Sequence, residues 1–203
     1  MRAYRDPDVG KTEHASVPTF RWGKHSPCIE VGGGQAQVAN EDDGQGDYHM
    51  VLSEDVYSSG THRFEISLLN PDAVSIGFID HRIADDLILE DDDHILEELS
   101  EDTIYFRFNR SSVYNLLDQS GSQRNHVSRI RRHETLVVEL SFTDNYICFY
   151  KNDAVMYKWE SAAVQSRMYQ LVVSLDYEEE GVVLTKYLAR VPIFAENYPC
   201  ARF

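Results

Sequence analysis

Apolar and polar residues alternate with a period of two along most of this chain, the spacing of a strand with one buried face. In HRFEISLL (residues 62–69), Phe64, Ile66 and Leu68 share a face and Glu65 and Ser67 take the other. AVSIGFID (73–80) repeats the pattern with Val74, Ile76 and Phe78, and TIYFRFNR (103–110) with Ile104, Phe106 and Phe108. TLVVELSF (135–142), YICFYK (146–151), VMYKW (155–159), MYQLVVSL (168–175) and VVLTKYL (182–188) continue it, and CIEV (28–31) opens it. Turn residues separate these runs. Gly32-Gly33-Gly34, Asp144-Asn145, Asn152-Asp153 and residues 178–181 each reverse the chain, and Asn70-Pro71-Asp72 predicts a hairpin between the strands on either side of it. Many short alternating segments with turns between them predict an all-β fold, an antiparallel sandwich or barrel.

One stretch breaks the pattern. Residues 84–102 hold ten carboxylates and no Lys or Arg, and Leu87, Ile88, Ile95 and Leu99 are spaced for a short helix. It reads as a solvated acidic insertion between strands. At 203 residues the chain fits one β-domain, placed at 18–188. Residues 1–17 form a polar tail or strap, and 189–203 an aromatic C-terminal tail.

Charge narrows the partners. With 19 Lys and Arg against 34 Asp and Glu the formal charge is −15, which argues against nucleic acid and anionic membranes as ligands. No apolar run reaches the roughly 20 residues of a membrane span. Three widely spaced cysteines, Cys28, Cys148 and Cys200, form no CxxC pair. They suit a reducing compartment, and the expected location is intracellular, cytoplasmic or nuclear.

Motifs for chemistry fail on their own spacing. Val9-Gly10-Lys11-Thr12 lacks the earlier glycine of a phosphate loop, since Arg5 stands there. Gly32-Gly33-Gly34 does not extend to a dinucleotide fingerprint, because Gln37 sits in place of the last glycine. His133-Glu134 lacks the second histidine of a zinc helix, which Val137 replaces. Aligning the acidic loop at 40–47 with a calcium loop puts Ala39 and Met50 where oxygen donors belong. The run Glu90-Asp91-Asp92-Asp93-His94 reads as hydrated surface rather than a metal site. No GxSxG elbow occurs. Glu65 and Glu139 are the carboxylates a glycosidase-like sandwich would need, but on strands they read as outward and solvated. The expectation is no catalysis, no metal and no cofactor. A basic cluster, Arg124, Arg129, Arg131 and Arg132 with His126 and His133, suits phosphate or an acidic peptide. Against so negative a chain it reads first as neutralising the acidic insertion.

The order of segments resembles the SPRY family. Ser59-Gly60-Thr61-His62-Arg63-Phe64-Glu65 is similar to the family's early strand, and Ser75-Ile76-Gly77-Phe78 to the next, with a glycine between apolar residues. Phe149-Tyr150-Lys151-Asn152-Asp153 resembles the late hairpin, and residues 169–175 the strand that follows it. The resemblance covers about residues 20–188. There are departures. Asp153 stands for the usual Gly and Gln170 for a frequent Pro, the glycine-rich middle is reduced to Tyr105-Phe106-Arg107-Phe108, and the Leu-Asp-Pro motif of the tripartite-motif ligase subgroup is absent.

Membership would imply a bent antiparallel sandwich of two sheets that recognises a protein or peptide partner through its loops. Family members serve as ubiquitin-ligase substrate receptors or scaffolds and use no cofactor. By the same resemblance, the segments after three strands carry the partner-binding residues: Asp80, His81 and Arg82, then Tyr114, then Tyr177, converging on one patch. Arg and Tyr are the residue types that dominate interface energetics. Two other readings stay open: a structural subunit of a large assembly, suggested by the tail VPIFAENYPCARF, and a carbohydrate-binding or glycoside-cleaving lectin-like protein.

Overall fold

The computed structural model describes residues 19–38, 49–69, 74–86, 103–108, 110–117, 123–131, 134–175 and 180–190. In chain order the elements are β1 (Trp22–His25), β2 (Ile29–Gly32), β3 (Gln35–Val38), β4 (His49–Ser53), β5 (Thr61–Leu68), β6 (Ser75–Asp80), helix α1 (His81–Asp86), β7 (Thr103–Arg107), β8 (Ser112–Asn115), β9 (Gln123–His126), β10 (Leu136–Ser141), β11 (Tyr146–Lys151), β12 (Ala154–Glu160), a 3-10 turn (Ala162–Ser166), β13 (Tyr169–Leu175) and β14 (Gly181–Arg190). Two seven-stranded antiparallel sheets form a sandwich, as the alternation predicts. Sheet I runs β1-β4-β13-β6-β7-β8-β9 and sheet II runs β12-β11-β10-β5-β14-β3-β2.

The predicted inward faces meet between the sheets. Phe64 and Ile66 of β5, Phe78 of β6, Phe106 of β7, Phe149 of β11 and Leu171 of β13 belong to one buried cluster. Each such side chain contributes about 1.5–3 kcal/mol on leaving water. Two predicted hairpins form as expected. β10–β11 turns through Asn145 at φ 57°, and β11–β12 through Asn152 and Asp153 at φ 47° and 66°. The Asp in place of the family's usual Gly therefore takes a left-handed position, which Asp tolerates.

The predicted hairpin around Asn70-Pro71-Asp72 is not one. β5 pairs with β10 and β14 in sheet II, whereas β6 pairs with β13 and β7 in sheet I. The chain crosses between layers there, so Phe64 and Phe78 face each other across the core with rings 5.9 Å apart. A short helix, α1, covers His81–Asp86, and Ala84, expected to open a solvated insertion, is buried. The helix expected from Leu87, Ile88, Ile95 and Leu99 lies outside the described residues. Ala84 packs with Met50, Leu52, Ile79, Tyr105 and Val172, a smaller cluster on the outer face of sheet I. Residues 87–102, the acidic loop 40–47, the tail 1–17 and residues 191–203 lie outside the described residues, while Ala189 and Arg190, expected in the C-terminal tail 189–203, end β14 instead.

Gly77 is required by crowding. A Cβ there would stand 1.9 Å from the Ile104 carbonyl oxygen and 2.5 Å from the Tyr105 Cα. Gly77→Ala must push β7 off β6, so it should cost at least about 3 kcal/mol in urea unfolding. A variant as stable as the parent would contradict this packing.

His62 adds a pH dependence to the core. Its Nδ1 lies 2.8 Å from the Tyr187 hydroxyl and its Nε2 2.7 Å from the Ser59 carbonyl, beside the Tyr57 ring at 4.5 Å. The Ser59 carbonyl accepts only, so Nε2 carries the proton and Nδ1 accepts from Tyr187. Burial lowers the His62 pKa, although the Ser59 contact and Asp55 pull it up. A lowered folded pKa means that the unfolded chain binds more protons just below about pH 6.5. His62 should therefore support stability above that pH and lose its contribution as the pH falls toward its folded value. Unfolding curves between pH 7.5 and 5.5 should show this component, and His62→Gln should remove it.

Candidate functional site

The end of β6 places a carboxylate where the sandwich meets its rim. Asp80 is the last residue of the strand, opposite Tyr169 on β13, and only 1% exposed. Its Oδ1 accepts from the Arg82 backbone N–H at 3.0 Å, the capping bond of a helix start, and this is why α1 begins at His81. The Arg82 guanidinium, with its side chain 71% exposed, returns to the same carboxylate through Nε at 3.0 Å and Nη2 at 2.8 Å. Arg167, half-buried before β13, approaches at 3.8 Å. Burial alone pushes the Asp80 pKa up. The Arg82 hydrogen bonds and the two positive charges outweigh it and hold the carboxyl below its ordinary value.

Its neighbour His81 is fixed from the side. The Gln170 amide nitrogen donates to the Ser53 carbonyl at 2.7 Å, so its Oε1 accepts from His81 Nδ1 at 3.0 Å. Gln170, which departs from the resembled pattern, thus ties β4, β13 and α1 together. The His81 N–H donates to the Met168 carbonyl, and Tyr57 and Tyr169 exchange backbone bonds beside it. Met168 at 44% and Val56 at 38% exposure are the apolar side chains at this rim. Sequence reasoning reaches Asp80, His81 and Arg82 but misses Arg167, Met168 and Gln170. Asp80 followed by a short Ile83-Ala84 apolar step is the available signal for a capped helix.

Of the other expected site residues, Tyr114 stands apart from this rim. Tyr114 is not in a loop. It lies within β8, opposite Tyr105 and stacked on it with rings 5.1 Å apart and 10° from parallel. That stacking draws it onto the outer face of sheet I. Tyr177 lies outside the described residues. The strand leading to it ends with Leu175 opposite His49 and Ser174 opposite Ser75, at the other end of β6 from Asp80.

A second polar arrangement occupies the outer face of sheet II, around a cleft of about 450 Å³ that Arg63, Glu65, Glu139, Tyr146 and Lys186 help to line. Glu139 is not solvated as expected, being 9% exposed. It accepts from Tyr146, from Tyr150 at 3.1 Å and from Arg63 at 3.2 Å, and Arg63 reaches Asp153 at 2.6 Å. Burial, followed by the Glu139 contacts, raises the Tyr146 hydroxyl pKa, and burial with neighbouring Cys148 and Glu139 raises that of Tyr150. Glu65 is held by Lys186 at 3.2 Å. With its oxygens committed to three donors, Glu139 knits β5, β10 and β11 together rather than presenting an acid to a ligand. Cys28 and Cys148 are free thiols, and Cys148 is buried under this network. Among the described residues no group of three His, Cys, Asp or Glu side chains is placed to hold a metal.

No family model matches the sequence, and no curated protein matches it. Solved structures do. The SPRY domain of human HERC1 aligns with TM-score 0.57 at 16% identity, covering 79% of this chain and 96% of that one. The TRIM65 PSpry domain aligns with TM-score 0.60 at 14% identity, covering 82% and 90%. A further human SPRY domain gives TM-score 0.54 at 14% identity, covering 82% and 96%. The fold is SPRY-like, as the motif order implied.

Asp80→Ala uncaps α1 and leaves the half-buried Arg167 without its carboxylate, so it should cost about 3 kcal/mol near pH 7. A depressed carboxyl pKa contributes stability that is present above about pH 3.9 and lost as the pH falls through the folded value. Urea unfolding at pH 7 and pH 3 should therefore show the gap between parent and variant shrinking in acid. An unchanged gap would mean that the ion pairs carry none of it.

Proposed function

We propose that this chain is a non-catalytic recognition domain that binds a protein or peptide partner at the β6–α1 rim. The observation carrying this reading is the buried Asp80 carboxylate. A buried charge is costly, and here its hydrogen bonds go to groups that shape the surface: the first turn of α1 and the Arg82 guanidinium. Binding residues of a sandwich sit on segments that the sheets hold in place, and a rim of fixed Arg82 and His81 beside Met168 and Val56 offers a polar and apolar pair of contacts. Asp80 positions this surface rather than touching the partner. Such a domain would work inside the cell, in cytoplasm or nucleus, as a substrate receptor of a ubiquitin ligase or as a scaffold in a larger complex.

Affinity capture from a cell extract, followed by titration of the purified partner, tests the reading. Val56→Ala and Met168→Ala lie on the surface and should leave the melting temperature nearly unchanged, whereas Arg82→Ala would strip the buried Asp80 carboxylate of its ion pair and lower it. At least one of the first two should weaken binding by more than about 1 kcal/mol. If both bind like the parent, the rim is not the interface.

A further inference from the structure

The β9 edge of sheet I carries the opposite charge to the rest of the chain. Residues 119–133 hold four Arg, two His and no acid in a protein of net charge −15. β9 is the last strand of its sheet, and among the described residues it pairs only with β8. The run that follows it is fixed at several points. Val127 N–H donates to the Ser111 carbonyl, Ile130 is buried in the core, and Lys151 donates to the Arg129 carbonyl at 2.7 Å. Anchored in this way, the run leaves the side chains of Arg129 and Arg131 exposed, with His126 and Arg110 exposed beside them.

The acidic insertion does not start from this place. The chain leaves α1 at Asp86 and returns at Thr103, which pairs with Ile79 near the Asp80 end of sheet I. Arg129 and Arg131 follow the other end of β9, where Ser75 faces Arg107, Arg107 faces Ser112 and Ser112 faces His126, whereas Gln123 at its start is level with Ile104. Neither described end of the insertion, Asp86 or Thr103, is therefore next to Arg129 and Arg131 in the sheet.

We propose that the β9 edge is a second interaction surface, taking an extended acidic peptide from a partner protein. A sheet edge with no further strand among the described residues offers backbone donors and acceptors to an added strand, and this one sets guanidinium groups just beyond its end. Backbone pairing supplies affinity for any extended chain, and Arg129 and Arg131 select carboxylates along it. The surface is separate from the Arg82 rim.

The probe is a fluorescein-labelled ten-residue peptide of alternating Glu and Thr, titrated with the full chain and read by anisotropy. It should bind, weaken with added salt, and lose at least tenfold in affinity for the Arg129→Gln/Arg131→Gln variant. Amide exchange at residues 123–126 should slow in the complex. The matching Lys-Thr peptide should not bind, and Arg82→Ala should leave binding unaltered. Failure of the full chain to bind, the result an edge occupied by its own acidic segment would give, overturns the proposal. So does equal binding by the double variant, or a ten-nucleotide single strand that binds as tightly. None of these outcomes bears on partner binding at the Arg82 rim.

Discussion

Two sheets share one apolar layer, and every other feature is arranged around that constraint. Phe64 sits at its centre, touching Phe78 from the facing sheet and stacked on Tyr187 from its neighbour strand at 4.9 Å. A strand can contribute to this layer only by alternation, so each one commits half of its side chains inward and turns the rest out. The outward half then differs between the sheets. Sheet II turns out a charged ladder in which Glu139 collects two tyrosine hydroxyls and Arg63. Sheet I turns out the apolar Met50, Leu52, Ile79 and Val172, against which α1 packs through Ala84. Much of each outer face is thus engaged in contacts within the described structure, and rims and edges are the places proposed for recognition.

Asp80 is where the layered fold becomes a surface. Its strand position buries the carboxylate, and its hydrogen bonds start a helix and hold Arg82 on the rim. Gln170 does the same for His81 from the next strand. Stability and presentation are coupled here: a group that unpairs in acid also releases the groups proposed to face a partner. The β9 edge has another logic. Among its described side chains it keeps no buried charge, and Arg129 and Arg131 are exposed on an anchored backbone.

Strands are legible in the sequence because a period of two, broken by turn residues, is the mark of a chain with one face in a core and one in water. Pairing is not legible. Alternation says which residues face inward but not which sheet a strand joins, so a turn such as Asn70-Pro71-Asp72 reads the same for a hairpin and for a crossing between layers. The start of α1 is hidden because the dense carboxylates after it mask Asp80, whose capping role depends on one backbone N–H. Loop position alone reaches Asp80, His81 and Arg82. Their partners Arg167 and Gln170 come from a segment about ninety residues away, and only the β6–β13 register joins them. Tyr114 looks like a loop residue in sequence because its stacking on Tyr105 is a cross-strand contact, visible only once β7 and β8 are paired. Glu139 looks solvated because the tyrosines that cover it stand on the next strand.

Partner recognition at the rim organised by Asp80 is the claim on which the functional reading stands. Amide exchange of the domain with and without its purified partner, followed by mass spectrometry, tests it most directly. The account expects new protection at residues 80–86 and 167–170, the segments that carry His81, Arg82 and Met168. Protection confined to other surfaces, with these two segments exchanging as in the free domain, would contradict it.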